Sequence, residues 1–129
     1  MKIEKNFKVA YNSANQTIKN FFLDIVNGCP FCLEKYSTDT PDFRLKHYRV
    51  YCRIALSKTK IDIFFPKINW ENSDVKKIFS SLKFEEAKDQ YNKIIKVSYT
   101  ENPGSIILDE LIKMIKYAHD NEFKYALEK

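Results

Sequence analysis

Between Tyr48 and Leu56 the chain alternates without a fault. Tyr48, Val50, Cys52, Ile54 and Leu56 hold one parity, and Arg49, Tyr51, Arg53 and Ala55 hold the other. Successive strand side chains point to opposite faces, so this period of two predicts a β-strand with one face in the core and one outside. Helical geometry would scatter the same apolar residues over both sides of a cylinder. The polar tetrapeptide Ser57-Lys58-Thr59-Lys60 follows, and Ile61, Ile63 and Phe65 resume the alternation up to Pro66, which makes a hairpin. Phe43 and Leu45 have the opposite parity to Tyr48 and Val50, so a turn or bulge is required near Lys46-His47. One strand earlier, Phe31, Leu33 and Lys35 alternate with Cys32, Glu34 and Tyr36 until Ser37-Thr38-Asp39-Thr40-Pro41 closes the run as a loop. Short strands joined by short loops read as a four-strand antiparallel meander.

Helical spacing flanks the meander. Ala14, Ile18, Phe21, Phe22, Ile25 and Val26 form an apolar stripe, with Asn12 or Ser13 as its cap and Gly28 at its end. Before it, Ile3, Phe7, Val9 and Tyr11 share one parity and suggest a short strand or a packed arm. After a loop holding Trp70, Val75, Ile78, Phe79 and Leu82 mark a second helix behind Asn72 or Ser73. Ile95, Val97 and Tyr99 form another strand, Thr100-Glu101-Asn102-Pro103-Gly104 a turn, and Leu108, Leu111, Ile112, Ile115 and Ala118 the last helix. The expected architecture is therefore one α+β domain over residues 1–129, an antiparallel β-meander packed by N- and C-terminal helices. Its core should hold Tyr48, Val50, Cys52, Ile54 and Leu56 against Phe21, Ile25, Leu111 and Ile115.

The composition agrees with a folded chain: of 129 residues 44% are hydrophobic and 30% charged, which excludes a disordered polymer or a rod. No run approaches the ~20 apolar residues that cross a bilayer, and Met1-Lys2-Ile3-Glu4-Lys5 does not open a signal-peptide core. A cytoplasmic location without a membrane partner is the expectation. The net charge of +5 partly reflects the Lys-, Asn- and Ile-rich usage of an A+T-rich genome. Its distribution says more. Phe43 through Ile61 carries Arg44, Lys46, Arg49, Arg53, Lys58 and Lys60 and no acid, and the chain's only three arginines all lie in this window. A planar guanidinium chosen where lysine is otherwise used points to geometric recognition of phosphate or carboxylate.

Several catalytic chemistries lack their parts. Cys29-Pro30-Phe31-Cys32 is a C-x-x-C that follows a helix and enters a strand, so no helix N-terminus lowers a thiol's pKa as redox chemistry requires. Adding His47 and Cys52 gives a spacing acceptable for tetrahedral zinc, but Cys52 sits on the apolar face of the best strand. Ordinary thiols, and no metal or other cofactor, are expected. His119 is placed near the end of the last helix, where the dipole favours an imidazolium. Glu85-Glu86 and Asp109-Glu110 are adjacent pairs that cannot face each other on a helix, and two glycines cannot build a phosphate loop. No constellation proposes an enzyme.

The basic hairpin remains the candidate site. Arg49, Tyr51 and Arg53 would project from one face about 7 Å apart, twice the strand rise and close to the phosphate spacing of a nucleic-acid strand. Tyr51 could then stack on a base while the guanidiniums hold phosphates. Alternatively the face is merely solvated, its arginines paired to acids such as Glu34 or Asp62.

The segments Asp42-Phe43-Arg44-Leu45-Lys46-His47-Tyr48-Arg49-Val50-Tyr51-Cys52-Arg53 and Thr59-Lys60-Ile61-Asp62-Ile63-Phe64-Phe65-Pro66, with Lys93 to Tyr99 leading into Leu108-Asp109-Glu110-Leu111-Ile112, resemble the domain of unknown function 5655 family. The pattern is shared loosely with the MmcQ and YjbR double-wing families and covers about Gln16 to Asn121. The resemblance implies an α+β fold and favours nucleic-acid binding; it implies no reaction and no catalytic residue. The expected function is thus a small non-enzymatic nucleic-acid-binding module using Arg44, Lys46, Arg49, Tyr51, Arg53, Lys58 and Lys60. The rival is a protein-interaction or inhibitor module presenting that face to an acidic protein.

Overall fold

The structure is a computed structural model that describes residues 6–30, 36–46, 50–66, 73–88 and 93–127. In chain order these form α1 (Phe7–Ser13), α2 (Gln16–Gly28), β1 (Tyr36–Ser37), β2 (Phe43–Lys46), β3 (Val50–Leu56), β4 (Ile61–Pro66), α3 (Ser73–Ile78), β5 (Glu85–Lys88), β6 (Lys93–Tyr99) and α4 (Ser105–Leu127). The strands make a single six-stranded sheet in the order β1-β2-β3-β4-β6-β5, each neighbouring pair antiparallel. The fold is α+β. The sheet is wider than a four-strand meander because β6 docks on β4 and β5 pairs on β6 as a sixth strand. Glu85-Glu86-Ala87-Lys88 has no apolar alternation, so its strand state comes from pairing and leaves no pattern to read.

Local chemistry explains the helix limits. Asn6 caps α1 by accepting from the Val9 N–H, and Asn15 caps α2 by accepting from the Ile18 N–H at 2.9 Å. The residues around Phe7 are thus a helix, where shared parity suggests a strand or arm: two turns of helix bury Phe7 and leave Val9 exposed. The α2 cap is Asn15 instead of Asn12 or Ser13, which belong to α1. The Asn15 N–H also donates to the Lys58 carbonyl at 2.8 Å, tying the start of α2 to the β3–β4 hairpin. Gly28 lets α2 approach α4 closely, since a Cβ there would run into Ile112 Cδ1. Gly104 has a φ of 101°, which L side chains rarely adopt, and its carbonyl accepts the Leu108 N–H to begin α4.

All four helices contribute side chains to one core on one face of the sheet. Cys52, Ile54 and Leu56 of β3 are buried there with Phe43, Leu45, Ile61, Ile63, Phe65, Ile95 and Val97, against Phe21 and Ile25 of α2 and Leu111 and Ile115 of α4. Val50 is only half-buried, and Tyr48 lies outside the described residues. In α3, Val75 and the following Phe79 and Leu82 are buried, but Ile78 is 64% exposed, because the helix ends there and does not carry the stripe through Leu82.

The required irregularity between Leu45 and Val50 is present. Leu45 pairs with Cys52 and Lys46 with Val50, so Tyr51 is an extra residue on β3. Where two residues of one strand oppose a single partner residue the alternation breaks. Tyr51 accordingly joins Cys52 in the core at 1% exposure, its ring edge-on to His119 of α4 with centroids 5.4 Å apart. Placing Tyr51 on the solvent face by parity alone is therefore incorrect.

Candidate functional site

The second face of the sheet carries the mostly polar parity of its strands, although Ile94 of β6 is buried on it. Cross-strand register sets Arg44 beside Arg53, Arg53 beside Phe64, Phe64 beside Lys96 and Lys96 beside Glu85, one row across five strands. The side chains of this row are half-buried or exposed. A second row joins Ala55, Asp62 and Ser98.

Asp42, just ahead of β2 and only 8% exposed, organises the row's basic end. Arg44 Nε donates to its Oδ1 at 2.7 Å, and Arg53 Nη1 lies 3.4 Å from its Oδ2. The guanidinium of Arg53 also covers the Phe64 ring, 5.0 Å from its centroid. Two guanidiniums on one carboxylate are held in fixed orientations, which removes much of the rotamer entropy that binding would otherwise cost. Further along, Lys60 Nζ lies 3.6 Å from Asp62 Oδ2, and the Ser98 hydroxyl donates to Asp62 Oδ1.

Of the residues named from sequence, Arg44, Lys46, Arg53 and Lys60 lie on or beside this face, and Lys58 stands exposed at the hairpin tip. Arg49 is outside the described residues, as are Cys32, His47 and the stretch Phe31 to Lys35. Arg53 pairs with Asp42, and Glu34 lies outside the described residues. The aromatic among the cations is Phe64, and it is the residue sequence reasoning passed over, together with Asp42 and Lys96. A signal existed: Phe64 is an aromatic on the polar parity of β4, between the inward Ile63 and Phe65, and Asp42 shares the parity of Arg44.

The remaining candidates separate. Cys29 and Cys52 are both buried, and no metal-ligating cluster occurs among the described residues. His119 is not near the end of its helix, because α4 continues to Leu127; it lies in mid-helix, with Nδ1 3.0 Å from Asp120 Oδ1. Asp109 is exposed while Glu110 is half-buried, so the two diverge as adjacent helical residues must. At the far end of β6, Tyr99 stacks edge-on to Phe21 at 5.6 Å, and burial pushes its phenol up to about 12 from 10.0.

Comparison with protein-family models, with curated proteins and with solved structures finds no match to this chain. No helix among the described residues is long and apolar enough to cross a membrane.

Proposed function

We propose that this chain is a small, non-enzymatic, cytoplasmic interaction module that binds an acidic protein surface through the face of its sheet that carries Arg44, Arg53, Phe64 and Lys96. The observation that carries this reading is the Asp42 clamp: Arg44 and Arg53 are pre-oriented side by side by one carboxylate, with Phe64 and Lys96 continuing the row. Arginine beside an aromatic on a flat, partly desolvated patch is the composition of a protein-binding hot spot. The same details weigh against a nucleic-acid backbone. Arg53 already covers the Phe64 face on which a base would stack. With Tyr51 in the core, the stacking element inferred from sequence is not at the surface.

The experiment is a competition. Binding of fluorescent poly-glutamate is measured for the native chain and for Arg44→Glu/Lys96→Glu, then challenged with short unrelated single strands and duplexes. The reading expects affinity to fall about tenfold or more in the variant, and oligonucleotides to displace poorly. Indiscriminate displacement by nucleic acid, with a log-log salt slope near −3.6 as for about four neutralised phosphates, would instead favour the nucleic-acid reading.

A further inference from the structure

The row that carries Arg44 and Arg53 extends one strand further, onto β1. Ser37 lies opposite Arg44 in the antiparallel register and Tyr36 opposite the buried Leu45, so the Ser37 hydroxyl falls on the same face as the guanidiniums. Directly opposed residues on one face have Cβ atoms ~4.5–5.5 Å apart, which brings a serine hydroxyl and an arginine fork within reach of one small ligand group. Ser37 is half-buried, and β1 is the outermost strand at this end of the sheet.

Both residues hold unused donors. Arg44 is bound to Asp42 through Nε, and its side chain is 37% exposed; its two Nη groups make no hydrogen bond among the described residues. The Ser37 hydroxyl makes none among them either. Because the Nε bond to Asp42 already fixes the guanidinium, its Nη donors meet a ligand at a smaller entropic cost than those of an unanchored arginine. Charge sets the class of ligand. On β1, β2, β3 and the loop between β1 and β2, the described charged residues are Arg44, Lys46 and Arg53 against Asp39 and Asp42. The surplus is one positive charge, which one carboxylate neutralises.

We propose that Ser37 and Arg44 form a seat for a single carboxylate of the acidic partner, an Asp or Glu side chain that accepts from the Ser37 hydroxyl on one oxygen and from the Arg44 Nη groups on the other. The proposal rests on the reading of this sheet face as a surface for acidic proteins, and adds Ser37 as the residue that fixes where an acid docks. Ser37 is uncharged, so removing its hydroxyl tests the seat without altering the charge of the face.

The test measures poly-glutamate binding to the native chain and to Ser37→Ala, Ser37→Thr and Ser37→Asp, with the Arg44 Nε–H signal of ¹⁵N-labelled protein as a second readout. Ser37→Ala should weaken binding about fivefold or more, as expected for a lost hydrogen bond to a charged group, and Ser37→Thr, which keeps a hydroxyl, should recover most of that loss. Ser37→Asp places a carboxylate in the seat; it should weaken binding about tenfold or more and move the Arg44 Nε–H signal before any ligand is added. Native affinity in Ser37→Ala, with Arg44→Glu/Lys96→Glu still losing about tenfold, would overturn the seat and leave the proposed function standing. Native affinity in Arg44→Glu/Lys96→Glu as well would defeat both. Tighter, Ser37-dependent binding of an oligo-phosphoserine peptide than of poly-glutamate would give the seat to phosphate and overturn its assignment to a carboxylate.

Discussion

Truncating Tyr51 to alanine separates the bulged register from simple alternation more sharply than any other substitution. On a solvent face the change would be nearly silent, since surface substitutions stay within about 0.5 kcal/mol. In the structure Tyr51 is 1% exposed and packs edge-on to His119. A buried tyrosine hides roughly 200 Å², which at ~25 cal/mol/Å² corresponds to about 5 kcal/mol. Compactness of the unfolded chain lowers that upper bound, and aromatic-to-alanine series give about 3–5 kcal/mol. A loss of about 4 kcal/mol is a large part of the 5–15 typical of a domain. Tyr51→Phe keeps the ring and should cost less than about 1.5 kcal/mol. Urea unfolding followed by far-ultraviolet circular dichroism reads both, and with an m-value near 2 kcal/mol/M the alanine variant's midpoint should fall by about 2 M. A loss below about 1 kcal/mol for Tyr51→Ala would refute the bulge and return Tyr51 to the exposed face.

Asp42→Asn weakens a charge-assisted clamp on two arginines and should lower stability by about 1–2 kcal/mol in the same assay; a change under 0.5 would mean that the carboxylate does not order them. Tyr99 keeps its proton when folded to about 12 from a starting value of 10.0. Between these values the unfolded chain binds fewer protons, so stability should fall as pH rises through this window, and Tyr99→Phe should abolish that part of the dependence. Thermal melts from pH 9 upward would show it. Gly104→Ala imposes a Cβ on a φ of 101° and should cost about 1–2 kcal/mol. A neutral melting temperature for that variant would place the turn in an ordinary conformation.

The strands with a buried face were legible because burial writes a period of two. The even parity of β3, the alternations of β4 and β6, and the need for a break after Leu45 all follow from it. What the break does to its neighbours was not legible: one extra residue carries Tyr51 inward, and no composition rule says which residue is the extra one. β5 left no trace, because a short edge strand of Glu, Ala and Lys owes its state to pairing with β6. The basic window points to the sheet face that carries Arg44 and Arg53 but not to the residues the register sets beside them. Asp42 and Phe64 enter it only once register places Arg44 beside Arg53 and Arg53 beside Phe64, and β6 supplies Lys96 from more than thirty residues further along the chain.

With only three arginines in the chain, their Nε–H signals form a nearly empty region of the ¹H–¹⁵N spectrum. Titrating poly-glutamate into labelled protein while watching that region tests the use of the Arg44–Lys96 sheet face most directly. Arg44 and Arg53, assigned by their Arg→Lys variants, should shift together and saturate at one affinity, with the Phe64 and Lys96 amides following. If both Nε signals stay in place while amides on α2 or α4 move, or if they respond to oligonucleotides and ignore the acidic polypeptide, the sheet face is not a binding surface for acidic proteins.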